Sequence, residues 1–343
     1  MKERNYTIVI RTLGRAGEKY QRLLESIDKQ SLRPVAVKVY LPYGYDLPPE
    51  RLGWEEFVFC TKGMVHQRAA AFAQCDTDYT LALDDDVKFD SDFVERLFET
   101  LESAHSDFVS PIVRENLSGG GESRKSFLSP CVSQVKDFKD WLLGVSMTKE
   151  FKEPFLVKIW KTGGFLIKRN IDDDTQYFSQ SGHGTCVFGR TKALKNLRFE
   201  DELWLENTRY ALPEDMVMFY KLYLQGNVIA VNRDVRFLHL DAGSSLENDD
   251  KKLNTIFASA RNGMIFWHRF IYSPKSSKAL SVLCLGRRMF CTCLFAFLKG
   301  IAKGNFKFFV AYLKGYASAL EFIKSEIYRN LPEIGVHQRF KRK

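Results

Sequence analysis

Three consecutive carboxylates, Asp84, Asp85 and Asp86, close the run TDYTLALDDDVKFD. The residues before them read as a buried strand, and in a strand Asp84 and Asp86 point one way and Asp85 the other. Two carboxylates about 6 Å apart at an effective dielectric near 20 repel by roughly 3 kcal/mol. A divalent cation between or beside them removes that repulsion. Hard oxygen ligands suit Mg²⁺ or Mn²⁺, which bind through one or two carboxylates plus substrate phosphates. The plainer reading is a solvated loop whose acids cap the next helix. A second acidic pair, Glu214 and Asp215, begins the helical run LPEDMVMFYKLYLQG, with Pro213 at its start and Gly226 after its end. Acids there also favour the positive end of a helix without any chemistry.

Several other chemistries are excluded. A calcium loop needs an oxygen ligand at its fifth position and Gly at its sixth, where this chain has Lys88 and Phe89. There is no GxxxxGK[ST], no HExxH and no GxSxG. GHGTCVFG (182–189) resembles a dinucleotide fingerprint but has the wrong spacing and no strand directly before it.

The elements that must position these acids follow from periodicity. Residues 6–12, 35–41, 79–84 and 107–113 are predicted strands, β-branched and short. Between them, 17–30, 64–73 and a stripe over Phe93, Val94, Leu97, Phe98 and Leu101 are predicted helices, the last capped by Ser91 or Asp90. Alternation of this kind is the signature of a parallel α/β sheet. The acidic triplet then sits at the carboxyl end of a strand, where open α/β sheets bind ligands. Residues 115–126 read as a polar loop, 131–160 as a mixed pattern around Trp141 and Trp160, and 228–241 as a returning strand. From Arg261 the chain reads as helical, aromatic and basic, and no internal repeat is found.

Composition divides the chain. With 343 residues, 45% apolar and 28 Phe, it can bury a sizeable core. Residues 251–343 hold 18 Lys/Arg against 3 Asp/Glu, a net of +15, which leaves −6 on residues 1–250. A basic region on an acidic body implies an anionic partner, nucleic acid or an anionic membrane surface. Short aromatic runs alternate with Arg287, Arg288, Lys299, Lys303, Lys307 and Lys314, a composition that fits helices lying in a membrane interface; a helical subdomain packed on the body is the alternative. No uninterrupted run of about 18 apolar residues is present, so no spanning helix is expected, and the N-terminus does not read as a signal peptide. Seven scattered Cys form no disulfide framework, which fits a reducing cytosol, and Cys291 and Cys293 alone make no zinc site.

In their order these motifs resemble family 2 glycosyltransferases of the GT-A fold. Arg11-Thr12 ends the first strand, Arg68 lies in the segment before the triplet, Asp84-Asp85-Asp86 matches Asp-x-Asp, and SGHGTCVFG then leads to Glu214-Asp215. The resemblance covers about residues 5–270 and implies a Rossmann-like, mostly parallel sheet flanked by helices over 1–250, followed by a basic amphipathic helical region over 251–343. The C-terminal part also resembles that of bacterial rhamnosyltransferase-like members. The implied activity is inverting transfer of a sugar, hexosyl or deoxyhexosyl, from a nucleotide diphosphate to an acceptor hydroxyl in cell-surface polysaccharide synthesis. It implies Mn²⁺ or Mg²⁺ held by Asp86, with Asp84 or Asp85 on the ribose or on metal-bound water, and His239 completing the metal shell. Asp215 is implied as general base beside Glu214, Arg11 and Thr12 as donor contacts, Lys62 and Arg68 as diphosphate contacts, and His183 as lying at the acceptor pocket. The family's Asp after the second strand is missing, which leaves Asp46, or the rings of Tyr40 or Tyr43, for the nucleobase. The expected partners are a nucleotide-sugar donor, a glycan or lipid-linked acceptor and an anionic membrane. The expected location is the inner face of a bacterial cytoplasmic membrane, with no nucleic acid bound. A non-catalytic relative would tolerate loss of Asp215, and the acidic body disfavours a nucleic-acid binder.

Overall fold

In the computed structural model, which describes residues 4–114, 130–169, 171, 176–240, 249–274 and 278–336, the first half of the chain alternates strand and helix. The order is β1 (Tyr6–Arg11), α1 (Glu18–Asp28), β2 (Ala36–Pro42), β3 (Glu56–Cys60), α2 (Met64–Ala73), β4 (Tyr79–Asp84), β5 (Val87–Lys88) and α3 (Phe93–Ser103). The order continues with β6 (Phe108–Val109), β7 (Ile112–Arg114), α4 (Pro130–Leu143), β8 (Ser146–Lys149), β9 (Phe155–Ile159), β10 (Phe165–Lys168), β11 (Gln176–Ser179) and β12 (Cys186–Arg190). Then come α5 (Thr191–Asn196), a 3₁₀ stretch (Phe199–Asn207), α6 (Glu214–Leu224), β13 (Ile229–Asn232), β14 (Arg236–His239) and α7 (Asp249–Phe266). A π-helical turn (Trp267–Tyr272) follows, then α8 (Ala279–Lys303), α9 (Lys307–Lys324) and α10 (Glu326–Arg329).

Among the described residues, eleven strands make one sheet in the order β3-β2-β1-β4-β12-β6-β13-β11-β9-β10-β8. The β3-β2-β1-β4 part is parallel throughout, and antiparallel β12 joins it to the rest. The chemistry-bearing ends of β1 and β4 are direct neighbours, with Arg11 opposite Asp84 in register. Helices cover both faces. On one side α1 and α3 pack Tyr20, Leu23, Ile27, Val94, Leu97 and Phe98 into a core. On the other, α2, α5, α6 and α7 share a second core that includes Phe72, Leu194, Val217, Phe219, Ile265 and Phe266. Helix α7 therefore belongs to the packing of the body.

Two predicted strands are each broken in two. The run DFVSPIV divides at Ser110-Pro111, because Pro has no N–H to give to a ladder. As a result β6 stays in the large sheet, while β7 joins β14 and β5 in a separate three-stranded sheet. The 228–241 run likewise turns at Asn232–Val235, where Val235 N donates to Asn232 O at 3.3 Å. Helix α3 is not capped by the side chains of Asp90 or Ser91. The buried Gln30 reaches across instead, accepting from Val94 N at 3.1 Å and donating to Asp90 O at 2.8 Å. The predicted polar loop at 115–126 lies outside the described residues. The mixed region resolves into α4 and the strands β8, β9 and β10.

The basic region is packed on the body at one level and exposed at another. Helix α9 crosses α7 at Gly315, where a Cβ would meet Ala260 Cβ at 2.7 Å and Phe257 O at 2.8 Å, so only glycine permits this approach. In α8, Arg287 stacks over Trp141 at 4.0 Å and Trp160 at 5.1 Å, and Arg288 donates to Thr162 O at 2.9 Å. These two arginines anchor α8 to the body and are not presented as headgroup contacts. The lysines at 299, 303, 307 and 314 are exposed, and beside them lie exposed Leu283, Phe290, Leu298 and Ile301. By length and composition α8 is long and apolar enough to cross a membrane, with 22% of its most apolar window buried. No uninterrupted apolar run marks it in the sequence, because Arg287 and Arg288 break the run.

Candidate active site

The site begins where β1 and β4 end side by side. The parallel register puts the Arg11 guanidinium against Asp84, Nε to Oδ1 at 2.5 Å and Nη2 to Oδ2 at 2.8 Å. Such a two-point pair is the strong form of an ion pair. Burial pushes the Asp84 carboxyl upward, but Arg11, with help from Arg68, wins and holds it below the usual range. Thr12 Oγ1 donates to Asp85 Oδ2 at 2.5 Å. Burial still raises Asp85 to about 6, and its acidic neighbours add to the rise. Asp86 Oδ2 lies 3.0 Å from His239 Nε2, while Asp86 Oδ1 is buried with no hydrogen-bond partner. The strand ends with Asp84, and Asp85 and Asp86 lie in the turn to β5, so strand alternation does not carry past Asp84. The three like charges are separated by being given three different partners.

The second acidic pair reaches the same place. Helix α6 starts at Glu214, whose two oxygens accept from Arg11 Nη2, at 3.3 Å, and from Arg68 Nη1. Arg68 is buried and also donates to Gly184 O at 2.7 Å. It lies under the floor of the site, where it holds Glu214 and Gly184, and it is not among the residues that line the cleft. Asp215 is only partly buried, and its Oδ1 accepts from Met216 N at 2.7 Å. Burial raises its carboxyl, partly offset by the Met216 amide and by Arg68 and Arg11. The loop before β12 lies close over the pair. A Cβ on Gly184 would come within 2.9 Å of Asp215 Cβ and 3.3 Å of Glu214 Oε1. His183 is exposed beside this glycine, and its imidazole is held below its ordinary value by nearby protein and by His239.

A cleft of about 960 Å³ opens over these strand ends. Arg11, Thr12, the acidic triplet and Lys62 line it, together with Arg15, Lys19, Glu206, Arg209 and Tyr210. Lys62 donates to the Tyr45 hydroxyl, and Arg15 sits 5.1 Å over the Tyr45 ring. The nucleobase candidates are placed differently. Tyr40 has no exposed surface and its hydroxyl meets Gln74 Oε1 at 3.3 Å, so its ring is not available to stack on a base. Tyr43 is exposed but stacks with Phe59 over a second groove along α2. Asp46 is exposed outside the lining of the cleft, with its carbonyl against Gly14. Arg15, Lys19, Glu206 and Arg209 were not singled out from sequence. The last two lie in ENTRYALPED, directly before the Glu-Asp pair, and that adjacency was the available signal.

Among the described residues no group of three or more His, Cys, Asp and Glu side chains could hold a metal. Asp86 and His239 form a two-residue set with one carboxylate oxygen still unsatisfied. An orphaned buried acceptor of this kind costs about 1–3 kcal/mol, more when charged. It fits a cation that takes the rest of its shell from a ligand's phosphates.

Residues 60–197 match the family described as Glycosyl transferase family 2. That stretch includes Lys62, Arg68, the acidic triplet and His183, and it ends before Glu214. No curated protein matches the chain. Among solved structures, the crystal structure of S. aureus TarS 1–349 is similar at 14% identity and a TM-score of 0.44, over 86% of this chain and 74% of that one.

Proposed function

We propose that this chain, whose residues 60–197 carry a family 2 glycosyl transferase domain, is an inverting glycosyltransferase that moves a sugar from a nucleotide diphosphate to an acceptor hydroxyl. The observation that carries this reading is Arg11. Its guanidinium touches Asp84 and Glu214 together, and so joins the acidic triplet to a helix start about 130 residues later in one site.

Arg15, Lys62 and Arg209 supply positive charge along the cleft for a diphosphate, and Thr12 with Asp85 offers polar contacts to a ribose. Glu214 is tied to two arginines and serves to fix the floor. Asp215 is the general base. The acceptor O–H gives its proton to the Asp215 carboxylate as its oxygen bonds to the anomeric carbon, and the C–O bond to phosphate breaks with its electron pair leaving on the diphosphate. Attack from the face opposite the leaving group inverts the centre. Asp86 and His239 would hold Mn²⁺ or Mg²⁺, with the imidazole favouring Mn²⁺, and such an ion supplies Lewis-acid charge to the leaving diphosphate. His183, beside Gly184, stands on the acceptor side.

The exposed apolar faces of α8 and α9, edged by Lys299, Lys303, Lys307 and Lys314, support a lipid-linked acceptor at the inner face of a bacterial membrane. Vesicle flotation tests this. Binding is expected to be tighter to anionic than to neutral vesicles and only partly released by high salt. Indifference to anionic vesicles at low salt would remove the lipid-linked acceptor. The donor is tested by thermal shift with UDP, GDP, dTDP and CDP, with and without Mn²⁺. A ligand at 100 times its Kd adds about 2.7 kcal/mol, so one base should raise the midpoint by several degrees, and more with Mn²⁺. No response to any of the four would overturn the donor reading.

A further inference from the structure

The segment that walls one side of the cleft is held from behind by a side chain that the chemistry above does not use. Residues 204–212 run from the 3₁₀ stretch to Pro213 and so deliver the acid pair. Beneath them lies Asn262 of α7, with no exposed surface. Its Nδ2 gives its two protons to Leu212 O at 2.6 Å and to Thr208 Oγ1 at 2.9 Å, with Leu205 O 3.5 Å away. Its Oδ1 accepts from Arg261 Nη1 at 2.7 Å, and the same Nη1 donates to Trp204 O at 3.2 Å. The amide can sit only this way round, because carbonyls accept and a guanidinium donates. Thr208 gives its own proton to Leu205 O at 3.1 Å, so its oxygen lone pairs face Asn262.

The strap is pinned at its front as well. Glu206 Oε1 accepts from Val65 N at 2.5 Å and from His66 N at 3.4 Å, in the first turn of α2. A Cβ on Gly63 would lie 2.6 Å from that oxygen, so glycine is required for the carboxylate to reach the helix. Between the two pins, Glu206 to Tyr210 line the cleft. The rear pin continues outward, since the Arg261 guanidinium lies 5.1 Å over Phe322 of α9. One buried amide thus fixes two points of the wall, Thr208 and Leu212, and removing it takes the donor from Leu212 O, while Leu205 O keeps the Thr208 hydroxyl and amide.

We propose that Asn262 is a positioning residue: from α7 it sets the strap 204–212, which walls the donor cleft and leads directly into Glu214 and Asp215 at the start of α6. That the cleft takes a nucleotide diphosphate rests on the reading above; that Asn262 sets the strap does not.

The test is hydrogen exchange on the full chain, comparing wild type, Asn262→Asp and Thr208→Val. Asn262→Asp is isosteric and keeps the oxygen that faces Arg261, but it turns an acceptor toward the carbonyls of Leu205 and Leu212. Amides of 204–213 are expected to exchange roughly 10- to 100-fold faster, the range for buried acceptors that lose their donor, with β1 and β4 unchanged. Thr208→Val should show a smaller rise at the same place, and it carries the test if Asn262→Asp does not fold. Whichever of UDP, GDP, dTDP or CDP with Mn²⁺ binds the wild type should bind Asn262→Asp more weakly. Unchanged exchange in 204–213 would overturn the proposal. So would a uniform rise across α6, α7 and the sheet, which would make Asn262 an ordinary core residue. If the wild type binds none of the four nucleotides, the donor reading falls and the exchange map alone decides the role of Asn262.

Discussion

Two clusters of buried charge lie within this body, and they differ in how completely they are closed. In the first, Glu202 has no exposed surface and both of its oxygens are filled. Oε1 accepts from Lys221 Nζ at 2.8 Å and Arg269 Nη2 at 3.0 Å, and Oε2 from Arg269 Nε at 2.9 Å and Trp204 Nε1 at 2.7 Å. It ties the 3₁₀ stretch, α6 and the π-helical turn together, and its carboxylate has no oxygen left to offer. In the second, at the ends of β1 and β4, Arg11 and Arg68 serve Asp84 and Glu214, but Asp86 keeps an oxygen with no partner and Asp215 stays partly exposed. A closed cluster stabilises a fold. An open one holds acceptors ready for something that is not protein.

The comparison is sharpened first by Asp215→Asn, which removes the base and keeps the shape. Turnover is expected to fall by about 10²–10⁴ with nucleotide binding unchanged, read by separate turnover and binding assays. If Asp215→Asn stays active and Glu214→Gln is dead, the two roles are exchanged. In the wild type the base must be ionised, and burial raises Asp215. The acidic limb of the turnover profile should therefore lie above the ordinary carboxylate value of about 3.9, with activity lost as pH falls through it.

Next in size is Glu202→Gln in the closed cluster. It leaves Arg269 buried without its counter-charge and Lys221 with Asp201 alone, 3.5 Å away, and a loss of about 3–5 kcal/mol is expected at neutral pH by denaturant unfolding. Burial alone would raise Glu202, but Lys221 and Arg269 win and its value is lowered. Its contribution is therefore present above the unfolded value near 4.3 and is lost as pH falls toward the folded value. The gap between wild type and Glu202→Gln should narrow over that acidic range.

The smallest effect on stability is expected from Asp86→Asn in the open cluster. Taking a charge from an unpartnered oxygen should leave the melting temperature unchanged or slightly higher, while the Mn²⁺-dependent part of nucleotide binding disappears. The same acid-to-amide change then destabilises one cluster and not the other. If Asp86→Asn costs as much as Glu202→Gln, both clusters are structural and the distinction fails.

Much of the first half of the fold could be read from period alone. β1, β2 and β4 are short β-branched or apolar runs between turn signals, α1, α2 and α3 carry helical spacing, and the triplet's place at a strand end followed from them. β3 was missed because EFVFC is only five residues long and partly exposed. β8 to β11 were missed because they pair within a mixed edge that leaves no alternation in the sequence. At the site, the grouping of Arg11, the triplet and Glu214 was legible from motif order. Which charge neutralises which was not, because it depends on strand register and on the depth of α2. Arg68 has the composition of a phosphate contact, yet its position on the helix turns it under the floor. Arg287 and Arg288 illustrate the same limit: a count of charges says nothing about which of them meet tryptophan rings.

The small sheet of β5, β7 and β14 has a consequence for the order in which ligands assemble. His239 is the register partner of Val87, and Leu240 N donates to Asp86 O at 2.7 Å, so the backbone fixes the spacing of the Asp86–His239 pair before anything binds. Two rigid ligands are too few to retain a divalent ion alone, and the missing ones would come from a diphosphate. Affinity then becomes reciprocal: whatever factor Mn²⁺ contributes to nucleotide binding, the nucleotide must return to Mn²⁺. Calorimetric titration of each ligand in the absence and presence of the other should give one coupling factor from both directions. A chelator should strip the ion from the free protein without unfolding it, so that the ion in effect arrives and departs with the donor and is no permanent part of the chain.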